Sequence, residues 1–341
     1  MRNDLRPTTA KGGKTLGYVG LCYHYIRPPL ERDPHPEILG NSEAAFREHL
    51  DMLSKHFEII TPDEAVRFSH AQTPPRFDRP GVLITFDDGL SDHHRAARIL
   101  AEHGLRALFF LPTCVLADLE PANPTVIHYG LATHRISGFL DSYHRALDGL
   151  GIQCDRYRIA YDRARDAAWP TIRRIKATLK YTLSSSEARA VLLHIYRNLL
   201  LPENPDMLRA MHLSHDQVRE MLNMGHSIGV HSHTHLSVSA ARLSDEAFTR
   251  EIISPQRYLE SEFSTEVFAL SYPFGGPRDC LTAEELQAVT DGYQLAFTVQ
   301  EILNTRSTSA FELGRYMPLS TDDADDLREV VERIILSLIH I

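Results

Sequence analysis

The stretch from Val82 to Gly89, VLITFDDG, joins an apolar run directly to two adjacent carboxylates and a glycine. A nearly continuous apolar run of this kind is typical of a strand buried on both faces of a parallel sheet. Asp and Gly are common turn residues, so a solvent-facing turn is the plain interpretation of residues 87–89. The carboxyl ends of strands are, however, where α/β folds place their reactive groups. Asp87 and Asp88 are therefore candidate site residues.

Strand and helix patterns alternate along much of the chain. Apolar runs predict strands over residues 15–25, 82–87, 106–111, 226–231, 267–271 and 294–298. Apolar spacing and capping signals predict helices over residues 42–57, 91–103, 214–224, 245–263, 282–291 and 322–338, and a capping box at Thr61-Pro62-Asp63-Glu64. This alternation predicts an α/β fold with a mainly parallel sheet, either open or closed into a barrel.

The alternation stops between Cys114 and Met211, where the pattern is mostly helical. We predict one catalytic domain over residues 1–341, with residues 114–211 as a helical insertion or lid. Between residues 156 and 180 this segment carries a run of Arg and Lys side chains. A solvated helix face is the plain interpretation, and a surface for an anionic substrate or for membrane headgroups is the alternative.

Composition narrows the functional classes. The 341 residues are 43% hydrophobic and 24% charged, which is typical of a globular protein, and the net charge of -9 disfavours a nucleic-acid partner. The four cysteines form no CxxC pair, which argues against a disulfide framework. The first twenty residues lack the apolar core of a signal peptide, and no apolar run reaches membrane-spanning length. We therefore expect a cytoplasmic protein without a transmembrane segment.

A second group of candidate residues follows the strand predicted over residues 226–231. His231 and His235 lie four residues apart in HSHTH, and neutral imidazole is the commonest protein ligand for metals. Asp88 can supply a third ligand from the end of another strand, which leaves positions for water and substrate as in catalytic sites. Asp87 then remains free to act as a general base. We predict a divalent cation, with Zn²⁺ first and Co²⁺, Ni²⁺ or Fe²⁺ also suited to these ligands.

Two motifs resemble those of the polysaccharide deacetylases, the NodB-like carbohydrate esterases of family four. TFDDG at residues 85–89 is similar to the first motif of that family, and HSHTH at residues 231–235 is similar to the second. The resemblance extends from about Leu16 to Leu319, without most of the segment 114–211.

The resemblance implies a distorted, incomplete (β/α) barrel and the hydrolysis of an N-acetyl group on an amino sugar. It also implies that Asp87 is the catalytic base and that Asp88, His231 and His235 bind the metal.

The third motif of the family carries an arginine that LSYPFG, residues 270–275, lacks. The YPFG form is similar to the biofilm-type poly-N-acetylglucosamine deacetylases, in which a backbone amide near Tyr272 would bind the oxyanion. Arg315 is expected to replace the missing charge and orient Asp87. The alternative is that Arg315 only forms a salt bridge at the end of a strand.

Two histidines are candidates for the general acid. His340 superficially fits the late Leu-x-His motif of ordinary family members, but it continues a helical pattern at the carboxyl terminus. His24 in CYHY lies at the end of the first predicted strand, and the biofilm-type enzymes are similar in carrying an early catalytic histidine. His24 is the preferred candidate because protonation of the departing nitrogen requires an acid near the site.

These features together predict metal-dependent N-deacetylation of an amino sugar or glycoconjugate. The substrate could be linked to a nucleotide or a lipid, and peripheral contact of the protein with a membrane is possible. A deformylase or a cyclic-amide hydrolase would use the same residues. A sugar-binding module without catalysis is the alternative from a different class, although such a module has no use for Asp87.

Overall fold

The computed structural model describes residues 17–290 and 292–337. The strands are β1 (Gly17–Tyr23), β2 (Ile26–Arg27), β3 (Asn41–Ser42), β4 (Glu58–Ile60), β5 (Gly81–Phe86), β6 (Leu108–Leu111), β7 (Ser227–Val230), β8 (Ala269–Ser271), β9 (Leu295–Phe297), β10 (Asn304–Thr305) and β11 (Arg315–Tyr316). The helices are α1 (Glu43–His56), α2 (Pro62–His70), α3 (Asp92–Glu102), α4 (Cys114–Ala117), α5 (Asn123–Gly149), α6 (Ala168–Ala177), α7 (Ser185–Ile195), α8 (Met207–Met211), α9 (His215–Asn223), α10 (Asp245–Phe248), α11 (Ser254–Phe263), α12 (Ala283–Val289) and α13 (Ala324–Leu336).

The chain also contains short 3₁₀ and π-helical turns. Two 3₁₀ turns span Leu30–Arg32 and Asp155–Tyr157, and π-helical turns follow α6, α7 and α10 at Thr178–Thr182, Tyr196–Leu200 and Thr249–Ile253.

The main sheet is mostly parallel and curls into an incomplete barrel. Its strands follow the order β10-β1-β5-β6-β7-β8-β9, and among the described residues only the pairing of β10 with β1 is antiparallel in this sheet. Phe297 of β9 bridges Leu313, and β11, just beyond Leu313, pairs with β1. The sheet thus turns back toward its first strand, and the predicted fold class is confirmed. Strand β5 is buried along its whole length, as its apolar run predicts.

Local signals place several helix ends as predicted. The capping boxes of Thr61 with Glu64 and of Ser214 with Gln217 are both formed. The single helix predicted over residues 245–263 is wrong in one respect, because α10 passes into a π-helical turn before α11 begins. Pro255, near the start of α11, has no N–H to donate to the preceding turn, which accounts for the break. Residues 15, 16, 291 and 338, at the ends of predicted elements, lie outside the described residues.

Residues 114–211 are mainly helical and include α4 to α8. Helices α5, α6 and α7 share an apolar cluster that includes Phe139, Tyr143, Ile175, Val191 and Leu192, all nearly or fully buried. The assignment of this segment as an insertion within a single domain stays a prediction. Among the described residues, no helix combines the length and the apolar character that are needed to span a bilayer.

Candidate active site

Asp87 and Asp88 lie at the carboxyl end of β5. The Asp87 N–H donates to Tyr23 O at 3.0 Å, which extends the pairing of β5 with β1 by one residue. Asp88 and Gly89 then adopt φ values of 79° and 56°. A non-glycine residue in this left-handed region costs of order 1–3 kcal/mol and is often found at functional sites. The turn leaves both carboxylates 3% exposed at one end of the barrel.

Arg315 holds the Asp87 carboxylate from β11, which pairs with β1, the neighbour of β5. Its Nη1 and Nη2 each donate to an oxygen of Asp87 at 2.8 Å, and Ser271 Oγ donates to Asp87 Oδ2 at 3.0 Å. The guanidinium is fixed by Thr298 O, which accepts from Nε at 3.0 Å, and it packs against the rings of Phe110 and Phe297, whose centroids lie 5.5 Å and 5.6 Å from Cζ. The structure therefore brings Arg315 to the position that the sequence predicts.

Burial alone would raise the pKa of Asp87, because it disfavours the charged carboxylate. The charge of Arg315, with a contribution from His231, outweighs burial and holds the pKa of Asp87 well below its usual range. Asp87 is therefore ionised and presented in one orientation. An ionised carboxylate at this position can accept a proton.

Asp88, His231 and His235 form a compact and buried cluster. Asp88 Oδ1 lies 2.9 Å from His235 Nε2 and 3.4 Å from His231 Nε2, and the three donor atoms lie within 4.8 Å of one another. His231 Nδ1 donates to Ser271 O at 2.8 Å, which directs the Nε2 lone pair toward Asp88. Burial would raise the pKa of Asp88, but the two imidazoles outweigh it and hold that pKa well below its usual range.

The cluster has the properties of a cation site. Asp88 Oδ1 is buried and has no hydrogen-bond partner, although it lies 2.9 Å from a histidine nitrogen. The contact lacks the angles of a hydrogen bond, so the three donors converge on a common point instead of pairing with one another. Two imidazoles and one carboxylate suit Zn²⁺, with room for further ligands. These residues fit a divalent cation.

His233 lies in the same motif but outside the cluster. Its Nε2 is 2.8 Å from Asp118, and its Nδ1 is 2.9 Å from Thr113 Oγ1. Ser232 and His235 have φ values of 55° and 63°, and Ser232 Oγ accepts from the His235 N–H at 2.9 Å. This tight turn directs the first and last histidines of HSHTH, but not the middle one, toward Asp88.

His24 follows β1 and faces the same cavity. Its Nε2 lies 4.0 Å from Asp88 Oδ2, and its side chain is 31% exposed. The backbone carbonyl of His24 accepts from His93 Nε2 at 3.1 Å, which helps to fix the loop. The structure therefore brings His24 to the site, whereas His340 lies outside the described residues. The role of His24 as general acid stays a prediction.

Tyr272 does not offer its amide to the cavity. The Tyr272 N–H donates to Phe297 O at 3.0 Å, and the residue is fully buried, so the expected oxyanion donor is already used by the sheet. Two residues on, Phe274 has a φ of 66° and lines the cavity, and its N–H has no partner among the hydrogen bonds of the described chain. Sequence reasoning missed Phe274 and Ser271, although a proline that ends a strand before Phe-Gly is a recognisable signal for such a turn.

These residues border a cavity of about 650 Å³. One end is lined by His24, Asp87, Asp88, His231 and His235. The segment 114–211 supplies much of the opposite wall, with Ile127, Leu179, Leu183, Ala188 and Leu192 among its residues. The candidate site is therefore part of a larger cavity that the barrel and the helical segment form together.

Comparisons with known proteins agree with this geometry. The polysaccharide deacetylase family model matches residues 175–290, which include both clustered histidines. No curated protein gives a significant match. The Streptococcus pyogenes deacetylase PplD in complex with acetate is 17% identical with a TM-score of 0.55, and the alignment covers 93% of this chain and 99% of that chain.

Two further solved structures share the fold. IcaB from Ammonifex degensii is 17% identical with a TM-score of 0.54, over 93% of this chain and 97% of that one. The de-N-acetylase from Aggregatibacter actinomycetemcomitans is 13% identical with a TM-score of 0.53, over 92% and 99%. The matched residues 175–290 and the two motifs, TFDDG and HSHTH, make the chain similar to the polysaccharide deacetylases, and the solved structures show that it shares their fold.

Proposed function

We propose that this protein is a metal-dependent amide hydrolase that removes an N-acyl group, acetyl in the simplest case, from an amino sugar or glycoconjugate. The observation that carries the proposal is the presence, at one end of one cavity, of a cluster suited to a cation and of a carboxylate held by Arg315. An amino sugar linked to a nucleotide or a lipid is the first substrate class that we propose.

Asp88, His231 and His235 are the residues that would hold the cation, with Zn²⁺ as the first choice. A bound cation would act as a Lewis acid, polarising the amide carbonyl and making an attacking water easier to deprotonate.

Three groups of the protein itself would act on the substrate. Asp87, oriented by Arg315 and Ser271, would accept the proton of the attacking water. The Phe274 N–H would donate to the developing oxyanion in place of the amide of Tyr272. His24 would donate a proton to the departing nitrogen, since an amide anion is a very poor leaving group.

Two alternatives to this proposal differ from it in the substrate or in the absence of catalysis. A deformylase or a cyclic-amide hydrolase would use the same residues on a different amide. A non-catalytic sugar-binding module is less well supported, because a buried carboxylate beside the cation ligands carries a desolvation cost without a benefit to binding.

The proposal is tested by measuring bound zinc and released free amine on the full chain, with N-acetylglucosamine oligomers, UDP-N-acetylglucosamine and longer-chain N-acyl glucosamines. We expect one zinc per chain, amine release, and a loss of at least about 10³-fold in Asp87→Asn, because the variant lacks the base. Asp118→Asn is the matched control, since the Asp118 carboxylate pairs with His233, the histidine outside the cluster. Bound zinc with release of formate from N-formyl sugars alone would favour the deformylase. Failure to bind zinc would contradict the proposal.

A further inference from the structure

The cavity beside the catalytic residues extends well beyond the space that an acetyl group requires. We propose that its apolar part holds the hydrocarbon chain of an N-acyl group longer than acetyl. This inference rests on the proposed amide hydrolysis at the same site and names the class of acyl group removed. The part concerned, here called the acyl compartment, is lined by Ile127, Leu179, Leu183, Ala188 and Leu192.

The acyl compartment is built by the helical segment and is shielded from solvent. Ile127 comes from α5, Leu179 from the π-helical turn after α6, and Ala188 and Leu192 from α7. All five side chains are at most 7% exposed, although they border a cavity. An apolar wall that faces open space inside a protein is suited to an apolar ligand.

The opposite part of the lining is open to water. Met317, Phe274 and Tyr181 are 45%, 38% and 37% exposed, so they mark the mouth of the cavity. Phe274 also lies against His235, with ring centroids 4.7 Å apart, which places the catalytic residues near the mouth. A substrate with its amide at these residues would have one end at the mouth and the other in the acyl compartment.

Polar groups of the lining are largely paired within the protein. Ser237 and Lys180 both donate to Asp279, at 2.6 Å and 3.0 Å. Asn123 accepts from Arg189 at 3.0 Å, and Ser184 is used in the capping box of α7. Lys176 Nζ lies 3.1 Å from His128 Nε2.

Sugar hydroxyls in the acyl compartment would lose water without gaining equivalent hydrogen bonds, which is unfavourable. The sugar therefore belongs at the mouth, against the aromatic rings, and the acyl chain belongs inside.

The volume of the cavity agrees with the binding of an acyl chain in the acyl compartment. The whole cavity of about 650 Å³ lies within the range of about 300–1,000 Å³ typical of ligand sites. Burial of each additional methylene group favours binding by about fourfold. Acyl chains that fill the compartment should therefore be hydrolysed more efficiently than acetyl.

The test uses the zinc-loaded full chain and methyl glycosides of N-acyl glucosamine with acyl chains of two, four, six and eight carbons. Release of free amine gives kcat/KM for each substrate. We expect kcat/KM to rise with chain length, by at least about tenfold from acetyl to octanoyl. Values of kcat/KM that stay equal or fall with acyl chain length would overturn the inference. A gain seen only with the octyl glycoside of N-acetylglucosamine, which carries its hydrocarbon chain on the sugar and not on the amide, would also overturn it.

A variant locates the effect within the cavity. Ala188→Phe, in the acyl compartment, should lower the octanoyl-to-acetyl ratio of kcat/KM by at least about tenfold. Ala190→Phe is the matched control, because Ala190 lies on the same helix and lines a different surface depression. An unchanged ratio in a folded Ala188→Phe protein would overturn the assignment to this compartment. Should that variant fail to fold, the chain-length series of the wild type decides.

The two proposals fail in different ways. A wild-type protein that binds zinc and hydrolyses acetyl as fast as octanoyl would contradict only the acyl compartment. A protein that releases amine from none of the chain lengths would contradict the proposed function itself, and the inference with it.

Discussion

Arg315 and Asp87 form a buried ion pair in which each residue depends on the other. Arg315→Met should destabilise the fold by about 3–5 kcal/mol, because it leaves the Asp87 carboxylate buried without its partner. It should also reduce kcat by about 10²-fold or more, since the proposed base Asp87 is no longer oriented. Chemical denaturation gives the free energy of unfolding, and amine release gives kcat.

The double variant Arg315→Met/Asp87→Asn separates these two effects. It removes the unpaired charge, so most of the lost stability should return while activity stays absent. An Arg315→Met protein as stable and active as the wild type would contradict the role given to this pair.

His235 and His233 provide a matched pair within one motif. His235→Ala should bind much less than one zinc per chain and should lose the rise in Tm on addition of zinc, because one of the three proposed protein ligands is removed. His233→Ala should leave both quantities close to the wild-type values, since its contacts are with Thr113 and Asp118. Metal analysis and thermal denaturation measure the two. Equal zinc loss in both variants would argue against the assigned ligand set.

At the scale of the elements, one carboxylate connects the helical segment to the barrel. Asp279, in the loop after β8, accepts from Lys180 Nζ at 3.0 Å and Tyr181 Oη at 3.1 Å, both in the π-helical turn after α6. It also accepts from Ser237 Oγ at 2.6 Å, in the loop after the HSHTH motif. Hydrogen bonds to a charged group contribute about 1.5–3 kcal/mol each. Asp279 therefore helps to keep the wall of the cavity in place.

Asp279→Ala should raise KM by about tenfold or more with a smaller change in kcat, and it should increase proteolysis near residues 178–185. Steady-state kinetics and limited proteolysis with mass spectrometry measure these effects. Asp148→Ala is the control, because Asp148 pairs with Arg158 in the same segment but at an exposed position. Wild-type KM and wild-type proteolysis in Asp279→Ala would show that the hydrogen bonds of Asp279 do not keep the cavity wall in place.

At the scale of the whole molecule, buried neutral histidines make stability depend on pH. Burial lowers the pKa of His212 from 6.5 to about 4 and that of His128 to about 3. Between about pH 6.5 and 4 the unfolded chain therefore binds more protons than the folded chain. Stability should be fully present above pH 7 and should fall as the pH decreases. Each histidine contributes a loss of about 2 kcal/mol at pH 5, from 1.36 kcal/mol per pKa unit.

Urea denaturation between pH 7.5 and 4.5 measures this dependence. His212→Gln, which removes one titrating group, should reduce the slope of the unfolding free energy against pH in the acidic range, whatever its stability at pH 7.5. A slope identical to that of the wild type would show that His212 is not the neutral buried group described here.

Across the molecule, features that depend on local pattern were predictable from the sequence. The apolar run before Asp87, the capping boxes of Thr61 and Ser214, and the spacing of His231 and His235 each depend on a few adjacent residues, so they identified the fold class and the candidate ligands. The short strands β10 and β11 were not predictable, because two residues pair only where a neighbouring strand offers its backbone.

What the tertiary structure alone decided is how distant parts of the chain meet. Arg315 reaches Asp87 across 228 residues of sequence because the sheet curls back on itself. The pairing of β8 with β9 uses the amide of Tyr272 and leaves that of Phe274. Helices α5 and α7 contribute an apolar wall beside the candidate catalytic residues. The physical reason is the same in each case. The local sequence pattern determines whether a segment forms a helix or a strand, and tertiary packing determines which distant residues it contacts.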